Sequence, residues 1–123
     1  MNFADIASFV EQCAAHESQI RWCNEDRFRG ENMLGVSPGG DINPHGYFVV
    51  GTTIGGNAIV VGDDDPRVCF ADHTWYSGDV ISFQDLEGDK DWHDIDFTTE
   101  NVAKSLFPLA TSREVFLSEL ASG

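Results

Sequence analysis

The sequence predicts an α+β fold in which an antiparallel, curved sheet is packed by N- and C-terminal helices. Apolar residues recur at helical spacing near both ends of the chain, and short apolar segments joined by tight turns occupy its centre. Strands grouped together and then followed by helices favour α+β over an alternating α/β architecture. The length of 123 residues suits one domain, which we expect to span residues 1–123.

The N-terminal part predicts one helix followed by less regular structure. Asn2 suits the N-cap, Asp5 suits the positive helix end, and the helix is expected to stop around Ser18. Its apolar positions at helical spacing are Ile6, Phe9, Val10 and Cys13. Ile20 and Trp22 alternate with polar residues, which indicates a short strand, and residues 37–44 form a turn-rich loop.

The centre of the chain predicts an antiparallel meander. Apolar strands are expected over residues 47–51, 58–61 and 67–72, separated by turns at 55–57 and 63–66. A fourth strand is expected over residues 79–83. The following residues, 85–96, are rich in aspartate and predict an acidic loop.

The C-terminal part predicts two helices. The first begins at Thr98 or Thr99 and is ended or kinked by Pro108. Its apolar positions are Val102, Leu106 and Leu109. The second begins with a capping box formed by Thr111 and Glu114. Its apolar face is expected to carry Val115, Phe116 and Leu120.

The charge balance limits the partners that we expect. Seven basic residues face 21 acidic ones, which gives a net charge of -14. Such a surface repels nucleic-acid phosphates and anionic lipids, so neither nucleic acid nor membrane is an expected partner. It speeds encounter with a basic protein, although the same charge also suits plain solubility or a salty habitat.

Localisation and redox state follow from the N-terminus and the cysteines. The first residues carry an early acid and no basic segment, which does not fit a signal peptide, and no apolar run is long enough for a bilayer span. Three cysteines, an odd number without close pairs, argue against a disulfide framework. We therefore expect a cytoplasmic, reduced protein.

Several segments resemble the SMI1/KNR4 (SUKH) superfamily. Residues 46–61 (GYFVVGTTIGGNAIVV) resemble its central apolar strand, glycine-containing turn and next strand, and residues 67–73 (RVCFADH) resemble the strand after them. Residues 102–106 (VAKSL) through 115–117 (VFL) resemble its closing helices. The family's Leu-Pro pair and Asn-Gly-Gly before the sheet are missing here; residues 37–40 (SPGG) are their nearest counterpart.

This resemblance implies an α+β fold and no enzymatic activity. Bacterial members look like immunity proteins, which neutralise a cognate toxin, often a nuclease or deaminase, by binding it. Eukaryotic relatives look like regulators of cell-wall synthesis and signalling. The favoured hypothesis is therefore a non-enzymatic immunity protein, a monomer or weak homodimer, that binds a basic toxin domain. The alternative is a general interaction or scaffold module of the same fold.

Acidic and aromatic residues in predicted turns and loops are the candidate partner-binding residues. They are Asp63, Asp64, Asp65, Trp75, Tyr76, Asp89, Asp91, Trp92 and Asp94. Aromatic side chains concentrate binding energy at interfaces while charges set orientation. For each of them a structural role is the alternative, either a solvated aspartate turn or an aromatic ring tucked onto the core.

Catalytic and metal-binding patterns are weak, so no catalytic residue, metal or cofactor is expected. An EF-hand loop starting at Asp85 fails because its sixth position is Lys90 instead of glycine. The histidines show neither HxH nor HExxH spacing, and the chain has no GxSxG, P-loop or GxGxxG. A metal-dependent enzyme built on Asp72 and His73 is the least favoured hypothesis.

Overall fold

The computed structural model describes residues 1–77, 80–84 and 92–122, and the fold is α+β, as predicted. The helices are α1 (Phe3–Ala14), α2 (Glu25–Glu31), α3 (Gly39–Ile42), α4 (Thr99–Ser105) and α5 (Arg113–Ser122). The strands are β1 (Arg21–Trp22), β2 (Tyr47–Thr52), β3 (Ala58–Gly62), β4 (Val68–Ala71), β5 (Tyr76–Ser77), β6 (Val80–Gln84), β7 (Trp92–Asp96) and β8 (Phe107–Ala110). None of the described helices combines the length and apolar composition that crossing a bilayer requires.

The strands form two antiparallel sheets. A central sheet has the order β1-β2-β3-β4-β8, and a small sheet has the order β5-β6-β7. The predicted meander is confirmed as β2, β3 and β4, which pair in sequence. The C-terminal strand β8 returns to pair with β4.

The central sheet is apolar on both faces. Because successive side chains of a strand point to opposite faces, Phe48 and Val50 belong to one cluster while Val49 belongs to the other. The first cluster packs the sheet against α1, α2 and α5, and its helical members are Ile6, Phe9, Val10, Cys13, Phe28 and Phe116. The second packs the opposite face against α3, α4 and the small sheet, with Ile42, Ile81, Val102 and Leu106 at its centre. The N- and C-terminal helices therefore share one layer.

Helix α1 buries the predicted stripe. Its N-terminus is closed by the Asn2 backbone N–H, which donates to the Asp5 carboxylate at 2.8 Å. All four predicted apolar positions are buried. The helix ends at Ala14, earlier than the predicted end around Ser18.

Residues 19–45 hold more helix than the sequence predicts. The predicted short strand is confirmed as β1, but α2 follows it, with the Asn24 side chain accepting from the Arg27 N–H at 2.8 Å. The predicted loop over residues 37–44 instead contains α3 and a 3₁₀ turn at Asn43–His45. Only one large apolar residue of α2, Phe28, is buried, so the periodic signal of this short helix is weak.

Asn32 joins the end of α2 to the central sheet. Its side chain is 7% exposed and bridges Val49, whose N–H donates to Asn32 Oδ1 at 2.8 Å and whose carbonyl accepts from Asn32 Nδ2 at 3.0 Å. Strand β1 has ended by this point of β2. The amide therefore satisfies two backbone groups that a longer neighbouring strand would otherwise bond.

The C-terminal predictions are partly wrong. Thr98 caps α4 as predicted, but the helix ends at Ser105, and Pro108 with Leu109 lies in β8. An edge strand tolerates proline because one side of its backbone needs no ladder partner. Helix α5 is capped by Ser112 instead of Thr111, since Ser112 Oγ accepts from the Val115 N–H at 3.1 Å.

The apolar face of α5 is rotated slightly from the prediction. Phe116 is buried, and Leu117 and Leu120 pack against the first cluster. Val115 is 40% exposed instead of facing the core. The predicted fourth strand is β6. The predicted acidic loop is corrected at its C-terminal end, where residues 92–96 form β7; residues 85–91 lie outside the described residues.

Candidate partner-binding site

The turn between β3 and β4 carries three consecutive aspartates with different surroundings. Asp63 and Asp64 are exposed, whereas Asp65 is half-buried. The Asp63 N–H donates to the Gly46 carbonyl at 2.8 Å, which ties the start of the turn to the residue before β2. The turn is therefore attached to the sheet while two of its carboxylates face solvent.

The Asp65 carboxylate accepts hydrogen bonds from Tyr47 and Arg67. Arg67 Nε lies 2.9 Å from Asp65 Oδ1, and Arg67 Nη2 lies 2.6 Å from Oδ2. The Tyr47 hydroxyl donates to the same Oδ2 at 2.9 Å. Arg67 Nη2 also donates to the carbonyl of Ala103 at 3.2 Å. One arginine thus connects the turn to α4.

These contacts shift the ionisation of the three side chains. Hydrogen bonding to Arg67 lowers the pKa of Asp65 to about 2. Burial, aided by the neighbouring Asp65 carboxylate, raises the pKa of Tyr47 to about 12. The same carboxylate raises the pKa of Arg67. Asp65 is therefore ionised but neutralised internally, and its role is to hold the turn in place.

Asp63 and Asp64 are more available. Asp63 Oδ1 lies 3.7 Å from the Met1 ammonium, and the Asp63 side chain stays 44% exposed. Asp64 makes no ion pair within the described part of the chain. A contact of 3.7 Å to a carboxylate that stays largely in solvent stabilises little, so both carboxylates keep most of their capacity to bind a cationic group.

The turn lines an open groove of about 430 Å³, which we call the acidic groove. Its walls are residues 62–66 of the turn and residues 112–114 at the start of α5. Glu114 adds a third exposed carboxylate. Arg113 also lines the groove, but its guanidinium carbon lies 5.8 Å from the centre of the Phe9 ring, over which it stacks. Carboxylates therefore outnumber cations in this groove.

Strand β7 holds the second group of predicted acidic residues. Asp94 is exposed, and its Oδ1 accepts from the Ser82 hydroxyl at 2.6 Å. The backbone of Trp92 pairs with Gln84 at the start of the strand. Asp89 and Asp91 lie outside the described residues. The structure thus places Asp94 in the small sheet and the three turn aspartates at the end of the central sheet.

Trp75 and Tyr76 require a correction as exposed anchors. Their side chains are 6% and 3% exposed, and both belong to the second core cluster. The Trp75 ring packs 5.2 Å from that of Phe107, and the Tyr76 hydroxyl lies 2.7 Å from Ser105 Oγ. Burial raises the pKa of Tyr76 to about 12. The apolar surface of these rings is used inside the fold, so we exclude them from the partner-binding surface.

The other residues that were considered for catalysis or metal binding make contacts within the fold or are buried. Asp72 Oδ1 accepts from the Thr74 N–H at 2.9 Å and from the Thr74 hydroxyl at 2.7 Å. His73 Nδ1 lies 2.8 Å from Asn57 Oδ1. Burial raises the pKa values of Cys13 and Cys23 to about 12, which keeps both thiols protonated at neutral pH. Within the described ranges, no three His, Cys, Asp or Glu side chains are grouped so that they could hold a metal ion.

Sequence reasoning missed the residues that organise the groove. Arg67 stands two positions after Asp65, a spacing that permits a local carboxylate–guanidinium pair and could have been noticed. Tyr47 reaches Asp65 through the pairing of β2 with β3, which no local pattern reveals. The groove residues at the start of α5 lie beside the turn because β8 pairs with β4 just before this helix, which no local pattern reveals either.

Comparison with protein-family models, with curated proteins and with solved structures finds no match to this chain. The functional argument therefore depends on the geometry of the chain itself and on the resemblance described above.

Proposed function

We propose that this chain is a non-enzymatic immunity protein that neutralises a basic toxin domain, of the nuclease or deaminase kind, by binding it through the acidic groove. The observation that carries the proposal is the pair Asp63 and Asp64, exposed on a turn whose third aspartate is fixed internally by Arg67. The resemblance to the SMI1/KNR4 superfamily supports the same class of function.

A fixed turn favours tight binding. Ordering a loop during association costs free energy, and the contacts of Asp65 with Tyr47 and Arg67 order this turn before any partner arrives. The carboxylates of Asp63 and Asp64 can then meet Lys or Arg side chains with little rearrangement. A nuclease has a cationic cleft for its substrate phosphates, which an acidic surface can occupy in their place.

The overall charge supports fast encounter. The chain has a net charge of -14, and no described Asp or Glu is buried. The described carboxylates other than Asp65 therefore contribute to a negative potential over a wide surface. Such a field accelerates association with a cationic protein and weakens as salt screens it. Steering by the whole surface and contact at the acidic groove are separate contributions and can be measured separately.

The test is a calorimetric titration of this chain with the product of the adjacent gene, which the proposal expects to contain a basic toxin domain and which carries an inactivating substitution. We expect the Kd to weaken as ionic strength rises from about 0.05 M to about 0.3 M. The double variant D63N/D64N should weaken binding about tenfold or more. The variant E11Q/E17Q is the matched control, since it removes two exposed carboxylates outside the acidic groove. Its effect should stay within about twofold.

Inhibition of the active toxin domain by stoichiometric amounts of this chain completes the test. Binding without inhibition would favour the scaffold or interaction module instead. No binding even at low salt, or equal losses in the groove variant and its control, would reject the proposal.

A further inference from the structure

The exposed edges of the two sheets differ in their capacity to accept another strand. Edge strands β1 and β5 have two residues each, and β8 contains Pro108. Strand β7 has five residues without proline, and within the described residues its one paired neighbour is β6. An edge strand of this length presents backbone donors and acceptors to an extended segment that approaches it.

The outer charge of β7 is negative at alternate positions. Asp94 and Asp96 are exposed, and residues two apart lie on the same face of a strand. The pairing places Ser82 opposite Asp94, and the Ser82 hydroxyl holds that carboxylate at 2.6 Å. This face therefore presents a row of two negative charges parallel to the strand edge.

The other face of β7 borders a small depression. Ile95 is half-buried beside the second core cluster. A depression of about 190 Å³ is lined by Ile95, Asn101, Lys104 and Ser105. The Lys104 ammonium lies 3.2 Å from Glu100, which partly neutralises this cation. This face of β7 is therefore apolar at Ile95, in contrast to the acidic face.

We propose that β7 is a docking edge for a basic extended segment of the partner protein, which adds to the small sheet as a further strand. Charge complementarity selects this occupant, because Lys or Arg at alternate positions would lie beside Asp94 and Asp96. A second copy of this chain is disfavoured, since pairing two β7 strands brings like charges together. The inference deepens the proposed function, on which it rests, by naming the form in which a basic partner binds.

The experiment uses three synthetic heptapeptides and the whole chain. The first alternates lysine and valine, the second alternates glutamate and valine, and the third is the lysine peptide with alternate backbone nitrogens methylated. Methylation keeps the charge but removes strand hydrogen bonds. We expect the lysine peptide to bind and the methylated peptide to bind about tenfold more weakly or not at all. Amide exchange should slow in β7 when the lysine peptide is bound.

A charge reversal supplies the decisive variant. Asp94→Lys should weaken binding of the lysine peptide about tenfold and allow the glutamate peptide to bind. Glu119→Lys is the control, since it makes the same charge change at an exposed site on α5. It should change neither affinity by more than about twofold.

Equal affinity for the lysine peptide and its methylated form would show attraction by charge without strand addition and would overturn the inference. Exchange protection confined to another edge, or no response to Asp94→Lys, would overturn it as well. The peptides report on β7 without any toxin domain. A failure here, with groove-dependent binding of the toxin domain intact, therefore rejects this inference alone, whereas the reverse result rejects the proposed function.

Discussion

The β3–β4 turn and strand β7 contain similar acidic sequences but use them differently. In the turn, Asp65 is bonded to a guanidinium and a phenol and holds the chain in place. In β7, Asp94 receives one hydroxyl and makes no ion pair within the described residues. Each of these carboxylates adds one negative charge to the composition, but they are not equivalent for binding. A carboxylate that is bonded within the fold, such as Asp65, is not available to a partner.

The largest expected effect comes from Arg67→Ala. It leaves the half-buried Asp65 carboxylate without its cation and cuts the link to the Ala103 carbonyl. We expect the free energy of unfolding to fall by about 3 kcal/mol, measured by urea denaturation. The control is Arg29→Ala, which removes an exposed pair with Glu25 and should cost at most about 0.5 kcal/mol. Equal losses in the two variants would mean that the turn is no better anchored than the surface.

The pH dependence of stability tests the same anchor. Arg67 lowers the pKa of Asp65 to about 2 in the folded chain, below its ordinary value of 3.8. The unfolded chain therefore takes up this proton first, so the stabilisation is complete above about pH 4 and is lost as the pH falls towards about 2. Its size is on the order of 2 kcal/mol. Thermal or urea unfolding of the wild type and of Asp65→Asn should show a stability gap that closes over this range. A gap independent of pH would contradict the assignment.

A smaller effect is expected from Tyr47→Phe. The ring stays in the core while one hydrogen bond to Asp65 is lost, so the free energy of unfolding should fall by about 1 kcal/mol. Spectrophotometric titration supplies a second readout: both tyrosines of the chain have a pKa of about 12, so the variant should lose about half of the absorbance change near that pH and keep the part that belongs to Tyr76. An unchanged stability would remove Tyr47 from the anchor.

The smallest effect is expected in β7. Ser82→Ala removes the hydroxyl that bonds Asp94, and because the pair is exposed we expect a change within about 0.5 kcal/mol by urea denaturation. Asp94→Asn should be similarly neutral. A loss comparable to that of Arg67→Ala would show that β7 is also structural and would end the contrast between the two regions.

The sequence predicted the elements whose signal is local. The stripe of α1 and the three apolar strands of the meander are confirmed, because burial on one or two faces leaves a regular pattern. The spacing of Val102, Leu106 and Leu109 misled the prediction, because it extended α4 beyond its end at Ser105. That Pro108 lies in an edge strand depends on where β8 meets β4, which no local pattern reveals.

The candidate site was predictable only in part. Asp63 and Asp64 were identified together with Asp65, because three consecutive acids in a turn form either a patch for a partner's cationic groups or a solvated turn. Nothing local separates them from Asp65, whose carboxylate is bonded by Tyr47 across two paired strands. Trp75 was assigned to the surface as one of two alternatives, and the structure packs its ring into the second core cluster, 5.2 Å from the Phe107 ring of β8.

The double-sided burial of the central sheet has a consequence for how the strands find their alignment. In a sheet with one solvent-exposed face, a slip by one residue costs free energy because apolar side chains move from the core to water. Here a slip of β2 by one residue would replace Val49 by Phe48 or Val50, and all three side chains would still lie in an apolar layer. Hydrophobicity alone therefore distinguishes poorly between the correct and the slipped alignment. A slip would also move the bulge between Val49 and Gly51 and bring the larger Phe48 ring into the space of Val49. The bulge and the size of the side chains therefore distinguish the alignments where hydrophobicity does not.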